Sequence, residues 1–329
     1  MILRDDLYGE YEVEAVIEEL VNSLAFQRLK RVHMAGPAYL VNPLWNETRY
    51  EHSVGVMLLI RRLGGSLEEQ IAGLLHDISH TAFSHTVDIA LKIKEDNYHE
   101  KIKDKVVANS DIPKILKRYG YNSEELLGDD SRFSLLEKEL PALCCDRLDY
   151  TLREIHRYYN VDLDSIWQFI KTLEYRNNEI CINNLESAEW FSEMYNLIVL
   201  DFFYHPLGVV SNVIMAKAIQ LGLENQVISE HDLMLTDDEL LEKLKNSHNL
   251  EIERLIKKFS KPMQIKIAEN PEDSHVHLKL KPRIIDPTVL IKNQCFKSSM
   301  KSEKVRKMKD KAIEISYQGI YLYVTNWNN

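Results

Sequence analysis

The stretch Leu74 to Asp88, LLHDISHTAFSHTVD, constrains the fold more than any other. It sets His76, Asp77, His80, His85 and Asp88 beside Leu74, Leu75, Ile78 and Phe83. Ionisable groups in an apolar frame are costly to bury unless they share a partner. A fold that buries this segment must therefore supply a metal ion, a phosphate group or both. One histidine alone would read as an ordinary surface or core residue. A His-Asp pair followed closely by two more histidines reads as a site.

The frame around this stretch is helical. EEQIAGLLHDIS places Ile71, Leu74, Leu75 and Ile78 on one face, with His76, Asp77 and His80 on the other if the helix reaches His80. Gly73 shares the polar side and would let another element approach. IWQFIKTL, WFSEMYNLIVL and DDELLEKLK follow the same period, the last capped by Thr236 or Asp237. The 11 glycines and 9 prolines suit long helices with few tight turns. NNEICINNLES suggests a hairpin turning at Asn183 and Asn184. After about residue 260, MQIKIAE, HVHLKLKPRIID and GIYLYVTNW read as strands, and KSSMKSEKVRKMKDKAIE as a basic helix. The expected class is mainly α, with a helical region over 1–260 and a small C-terminal α+β appendage over 261–329.

At 329 residues and 45% hydrophobic content the chain can bury a large core. A net charge of −10 does not invite nucleic acid or an anionic membrane. The N-terminus lacks the apolar run of a signal peptide. IVLDFFYHPLGVV is apolar but short and broken by Asp201, His205 and Pro206, so no membrane span is expected. Cys144, Cys145, Cys181 and Cys295 show no CxxC spacing or disulfide framework, which points to a reduced, cytoplasmic protein.

Two further segments carry matching chemistry. TRYEHSVGVMLLI puts Arg49 and His52 at the start of an apolar helix. LCCDRLDYTLREIHR places Asp146, Asp149, Tyr150 and Arg153 on one helix face, opposite Leu148, Leu152 and Ile155. An exposed face with internal Asp–Arg pairs would give the same spacing. Trp167, Trp190 and Phe191 read as core, and His156, His231, His248, His275 and His277 as surface or structural.

In that order, FQRLKRVHMAG, TRYEHSVGV, LLHDISHTAFSH, YHE and CDRLDYTLRE resemble the HD-domain metal-dependent phosphohydrolases. The nearest likeness is to the deoxynucleotide triphosphohydrolase branch, which includes the SAM-and-HD-domain protein. The resemblance implies an HD-domain helical bundle with its motif-bearing core at about 20–165. It implies that His52, His76, Asp77 and Asp146 hold a divalent transition metal such as Mn, Fe, Zn or Ni, with Mg as a second ion. It also implies that His80, His85 and His99 are pocket histidines, oriented in part by Asp88. Arg49, Arg147, Tyr150 and Glu154 would contact a nucleotide or other small phosphorylated substrate. Homo-oligomeric assembly is a further implication.

In the expected chemistry the metal activates water, His85 protonates the leaving oxygen and Arg49 binds phosphoryl oxygens. The chain departs from the triphosphohydrolase pattern in three places. Met34-Ala35-Gly36 replaces Gln-Leu-Gly, removing a sugar-hydroxyl reader. Tyr195 and Pro206 replace a phosphate-binding Arg and Lys. Arg49, Arg147 and Arg153 remain, and Lys279 or Lys281 could compensate. A nucleotidase or phosphodiesterase on a smaller phosphate is the alternative, as is a nucleotide-binding sensor with little catalysis.

Overall fold

The computed structural model describes residues 1–268, 270–278 and 281–325. Its centre is three helices, Arg49–Arg62, Leu67–Leu75 and Cys145–Tyr159, of which the first packs against both others. A capping box starts the first: the Thr48 hydroxyl accepts from Glu51 N, and the Glu51 carboxylate accepts from Thr48 N. That cap fixes Arg49 at the first helical position and His52 one turn inside. Val56, Met57, Leu59 and Ile60 are fully buried on this helix. Burying each such side chain stabilises the fold by about 1.5–3 kcal/mol before chain entropy is counted.

Glycine decides how closely these helices meet. A Cβ at Gly55 would overlap Asp149 Oδ1 and Arg153 Nη2, and one at Gly73 would overlap the Ile60 side chain. Only hydrogen at position 55 lets the Asp149–Arg153 pair lie against the His52 helix. Gly73 provides the expected close approach, to Ile60.

The second helix stops at Leu75 with His76 as its cap, short of the expected end at His80. Tertiary bonds replace the helical ones beyond that point. Ala82 N donates to Leu233 O at 2.9 Å, and Phe83 N donates to Asp237 Oδ1 at 2.7 Å. Phe83 and Ser84 take positive φ of 59° and 50°. Residues 76–85 thus form an irregular loop pinned from below.

The strands are β1 (Ile2–Asp5), β2 (Gly9–Glu12), β3 (Leu173–Arg176), β4 (Glu179–Ile182), β5 (Ile265–Ile267), β6 (Val276–Leu278), β7 (Thr288–Ile291), β8 (Gln294–Lys297) and β9 (Ile320–Val324). They form sheets β1-β2, β3-β4-β7-β8 and β5-β9-β6. The expected hairpin exists but turns elsewhere. Asn177 and Asn178, at φ 53° and 60°, make the β3–β4 turn. Asn184 instead caps the helix Leu185–Leu197 by accepting from Ser187 N at 2.8 Å.

Strands β5, β6 and β9 fall within the expected C-terminal segments, although Lys279, Leu280, Asn326 and Trp327 lie outside the described residues. Strands β7 and β8 were not anticipated. Parallel pairing of β4 with β7 ties the chain after residue 260 into the preceding body. The basic stretch forms the helix Glu303–Gln318. Lys304 pairs with Glu193 and Lys309 with Asp286, so those lysines tie the helix down.

Among the described residues one helix, Pro206–Glu224, is long and apolar enough by length and composition to cross a membrane, where the sequence suggests no such stretch. The signal was hidden because Pro206 lies inside the helix, at its first turn, where a missing N–H costs nothing. Just over half of the span, 56%, is buried inside this fold. It packs against helices Thr86–Ala90 and Leu250–Lys257.

Candidate metal centre and active site

The first helix, the 76–85 loop and the Cys145–Tyr159 helix bring one donor atom each of His52, His76 and Asp146 within 4.8 Å of one another, with Asp77 beside them. His52 Nε2 lies 3.1 Å from Asp146 Oδ1 and 3.9 Å from Asp77 Oδ2. His76 Nε2 lies 3.5 Å from Asp77 Oδ1 and 3.8 Å from Asp146 Oδ1. The second nitrogen of each ring is already committed. His52 Nδ1 meets Asp149 Oδ2 at 2.9 Å, and His76 Nδ1 meets Gly73 O at 2.8 Å. Both partners can only accept, so each Nδ1 carries a proton and each Nε2 is left for a second proton or a metal ion.

Lone pairs converging on carboxylate oxygens need a positive charge between them. His76 Nε2 is buried and has no hydrogen-bond partner, which is the state of a metal ligand. The donor set of two imidazoles and two carboxylates suits a borderline divalent ion. Burial pushes the His52 imidazole down, but hydrogen bonds to Asp146 and Asp149 outweigh it and hold it up at about 10. Burial raises the Asp146 carboxyl, and the two histidines overcome this and hold it far below its usual range. A proton thus occupies the charge position that a metal ion would fill.

The polar face of the Cys145–Tyr159 helix is buried, not solvated. Asp149 is fully buried and gripped by Arg153, with Nη2 to Oδ1 at 2.8 Å and Nε to Oδ2 at 3.2 Å. Arg153 also pairs with Asp5 at 3.1 Å. It is therefore a clamp on the carboxylate that orients His52, and is not free to serve as a phosphate cation. Beside it, Glu47 is fully buried with neither carboxylate oxygen hydrogen-bonded. Burial, only partly offset by Arg153, pushes its carboxyl up to about 8. Burial and the neighbouring Glu47 push Glu154 up as well.

The pocket histidines form a second group. His80 and His99 stack at 3.8 Å with 17° between planes, and His85 stands edge-on to both. Asp77 joins the two groups, since its Oδ1 also lies 3.2 Å from His80 Nε2. Asp77, His80 and His99 place one atom each within 4.8 Å of one another. The His85 side chain is 41% exposed, and its Nδ1 meets Asp88 Oδ2 at 3.3 Å. Asp88 also accepts from Tyr98 N at 2.9 Å, which holds it still.

Arg49 donates to Asp77 Oδ2 at 2.7 Å and to Ser84 Oγ at 3.0 Å. Among the described residues Arg147 donates to Ala142 O and Cys144 Sγ. The Tyr150 ring lies 6.4 Å from that of His52 and its hydroxyl 3.5 Å from the Tyr195 hydroxyl. Lys281 is bound to Asp96 and Glu95 O, and Lys279 lies outside the described residues.

Sequence reasoning missed three contributors. Asp149 was set aside in favour of Asp146, yet it orients His52. Asp237 was read as a helix residue or cap; it receives Phe83 N and both His33 N and Nδ1. Arg283 stands over the Phe203 ring at 5.4 Å, beside the Tyr150 wall. The i, i+3 spacing of Asp146 and Asp149 was the available signal for the first; the others had none.

With this geometry in place, the comparisons with known proteins are specific. The HD domain family pattern matches residues 49–154. The uncharacterized protein YdhJ of Bacillus subtilis is 44% identical over 98% of this chain and 99% of its own length. The metal-dependent phosphohydrolase cns2 of Cordyceps militaris is 30% identical over 88% of this chain and 85% of its own. A crystal structure of a hypothetical protein from Aquifex aeolicus shares the fold, with a TM-score of 0.71 at 22% identity, covering 98% of this chain and 95% of that one. The chain belongs to the HD-domain family of metal-dependent phosphohydrolases.

Proposed function

We propose that the enzyme hydrolyses a nucleotide phosphate, with deoxynucleoside triphosphates as the first candidate class, in the reducing cytoplasm where its four cysteines stay free. The observation that carries the proposal is the unpartnered His76 Nε2 facing two carboxylates and the equally oriented His52 Nε2. His52, His76, Asp77 and Asp146 hold a divalent ion, one of Mn, Fe, Zn or Ni. When bound, such an ion lowers the pKa of water and polarises a phosphoryl oxygen. A second ion at Asp77, His80 and His99 would be a transition metal in preference to Mg, because two of those donors are imidazoles.

The chain's own residues do the rest. Asp149 holds the proton on His52 Nδ1 and so keeps Nε2 available. His85, fixed through Nδ1 by Asp88 and open on its other side, delivers a proton to the leaving oxygen. Arg49 and Arg147 bind non-bridging oxygens, with Arg49 exchanging Asp77 for substrate. The test is release of phosphate, pyrophosphate or tripolyphosphate from a nucleotide panel, with Mn, Fe, Ni, Zn and Mg each supplied. Tripolyphosphate release from a deoxynucleoside triphosphate is the expected result. Release only from monophosphates or diesters favours the nucleotidase or phosphodiesterase reading. No release by metal-loaded protein defeats the proposal and leaves a binding module.

A further inference from the structure

We propose that Arg283 is a specificity-determining residue that grips a second, non-reacting phosphate of an oligophosphate nucleotide. The assignment rests on the nucleotide reading above and names the substrate class more narrowly.

Position comes first. The Tyr150 ring lies 6.4 Å from that of His52 and 5.8 Å from that of Phe203, so it neighbours both the metal centre and the ring under Arg283. The Arg283 guanidinium carbon sits 5.4 Å from the Phe203 centroid. Tyr195 adjoins the same wall, with its ring 6.3 Å from that of Tyr150. A group bound at the ions and another bound at Arg283 would lie on one continuous aromatic wall.

Preorganisation comes second. The segment carrying Arg283 has no regular structure, yet it is pinned on both sides. The Tyr204 hydroxyl donates to Lys281 O at 2.6 Å, and Asp286 N donates to Pro141 O at 2.9 Å. Ile285 is buried in the main core.

Unspent donors come third. Nearby cations are satisfied: Lys281 binds Asp96 at 2.8 Å and Lys309 binds Asp286 at 2.9 Å. Among the described residues, Arg283 makes no hydrogen bond and no ion pair. Five guanidinium donors are left beside three tyrosine rings. Burial lowers the affinity of Arg283 for its proton, but its surroundings, Tyr150, Tyr195, Tyr204 and the Asp96 carboxylate, raise it overall, so it keeps its charge. A partly buried charge with no carboxylate in direct contact is costly, and a bound anion removes that cost. Arg147, which also acts on Tyr195, likewise makes no ion pair with a carboxylate among the described residues.

The two guanidinium groups supply the positive charge that Tyr195 and Pro206 do not. A mononucleotide has one phosphate and would leave Arg283 idle. A nucleoside di- or triphosphate would occupy both ends.

The test compares wild type, Arg283→Gln and Arg283→Lys, each checked for metal content and melting temperature, on the mono- and triphosphate of one nucleoside. For Arg283→Gln we expect KM for the triphosphate to rise about 10- to 100-fold, the worth of one charged contact. KM for the monophosphate should stay within about twofold, with partial recovery in Arg283→Lys. Equal changes for both nucleotides, or none for the triphosphate, overturn the assignment. If wild type cleaves no nucleotide, the functional reading fails on its own, and Arg283 is judged by tripolyphosphate binding measured calorimetrically. Weaker binding by Arg283→Gln then supports it, and unchanged binding overturns it.

Discussion

His52 and His99 both lie near one carboxylate, Asp77, and are driven to opposite ends of the imidazole range. Two carboxylates hold His52 up at about 10 against burial. Burial and the neighbouring His85 hold His99 down at about 3. Burial and Arg49 likewise push His80 well below its usual value. The side chains are chemically identical, so the surroundings decide the role. Each ring on the metal side has its second nitrogen fixed by an acceptor and its lone pair aimed at carboxylates. The rings on the pocket side are stacked and near a guanidinium, which keeps His80 and His99 neutral. The exposed His85, tethered to Asp88, is the pocket imidazole placed to meet solvent and substrate.

This contrast can be broken by experiment, and the largest effect is expected at the metal side. His76→Ala removes a donor that nothing else replaces. The purified variant should contain less than a tenth of the wild-type metal and show no measurable hydrolysis; full metal content would end the four-donor account. The pocket side should respond differently. His85→Ala should lose about 10²–10⁴-fold in turnover while keeping its metal, the range typical of proton transfer. Metal analysis and kinetics on the same sample check both halves, and metal loss here would erase the division of roles.

A smaller effect tests the orienting carboxylate. Asp149→Asn keeps the shape but no longer fixes the His52 tautomer. Metal affinity should fall about 10- to 100-fold, read by competition with a chelating dye. An unchanged affinity would show that helix packing alone orients the ring.

The smallest effect is on stability. Glu47 is raised to about 8 in the folded chain from an ordinary value of 4.5. The folded state thus holds a proton that the unfolded state has released between these values, so stability falls as pH rises from about 4.5 to 8. One such proton corresponds to a slope of at most about 1.4 kcal/mol per pH unit. Glu47→Gln should flatten the melting temperature across that window. A curve parallel to wild type would show that Glu47 titrates normally.

The chemistry of the first half was legible because its donors come in short runs. His76 and Asp77 are adjacent, and Asp146 and Asp149 share a helix face at fixed spacing. Helical period likewise revealed several of the helices, among them Arg49–Arg62, Cys145–Tyr159 and Asp237–Lys245, because one face of each had to be apolar. The hairpin turn was misplaced since two Asn-Asn pairs flank β4 and both suit a turn; pairing across the sheet selects 177 and 178. Whether the helix ending at Leu75 reached His80 could not be read locally, because the loop after it is held at Ala82 and Phe83 by Leu233 and Asp237, over 150 residues away.

By itself the sequence determined that this chain is mainly helical and that His85 has a carboxylate at i+3, and through likeness to a family it proposed His52, His76, Asp77 and Asp146 as a ligand set. Those are properties of residue type and of short spacing, which the chain carries before it folds. Only the tertiary structure decided that Asp149 and Arg153 are buried behind His52, that Asp237 pins the histidine loop, and that Arg283 reaches the Tyr150 wall. Each of these depends on groups far apart in the chain meeting in a low-dielectric interior, where the strength of a charge is set by what surrounds it.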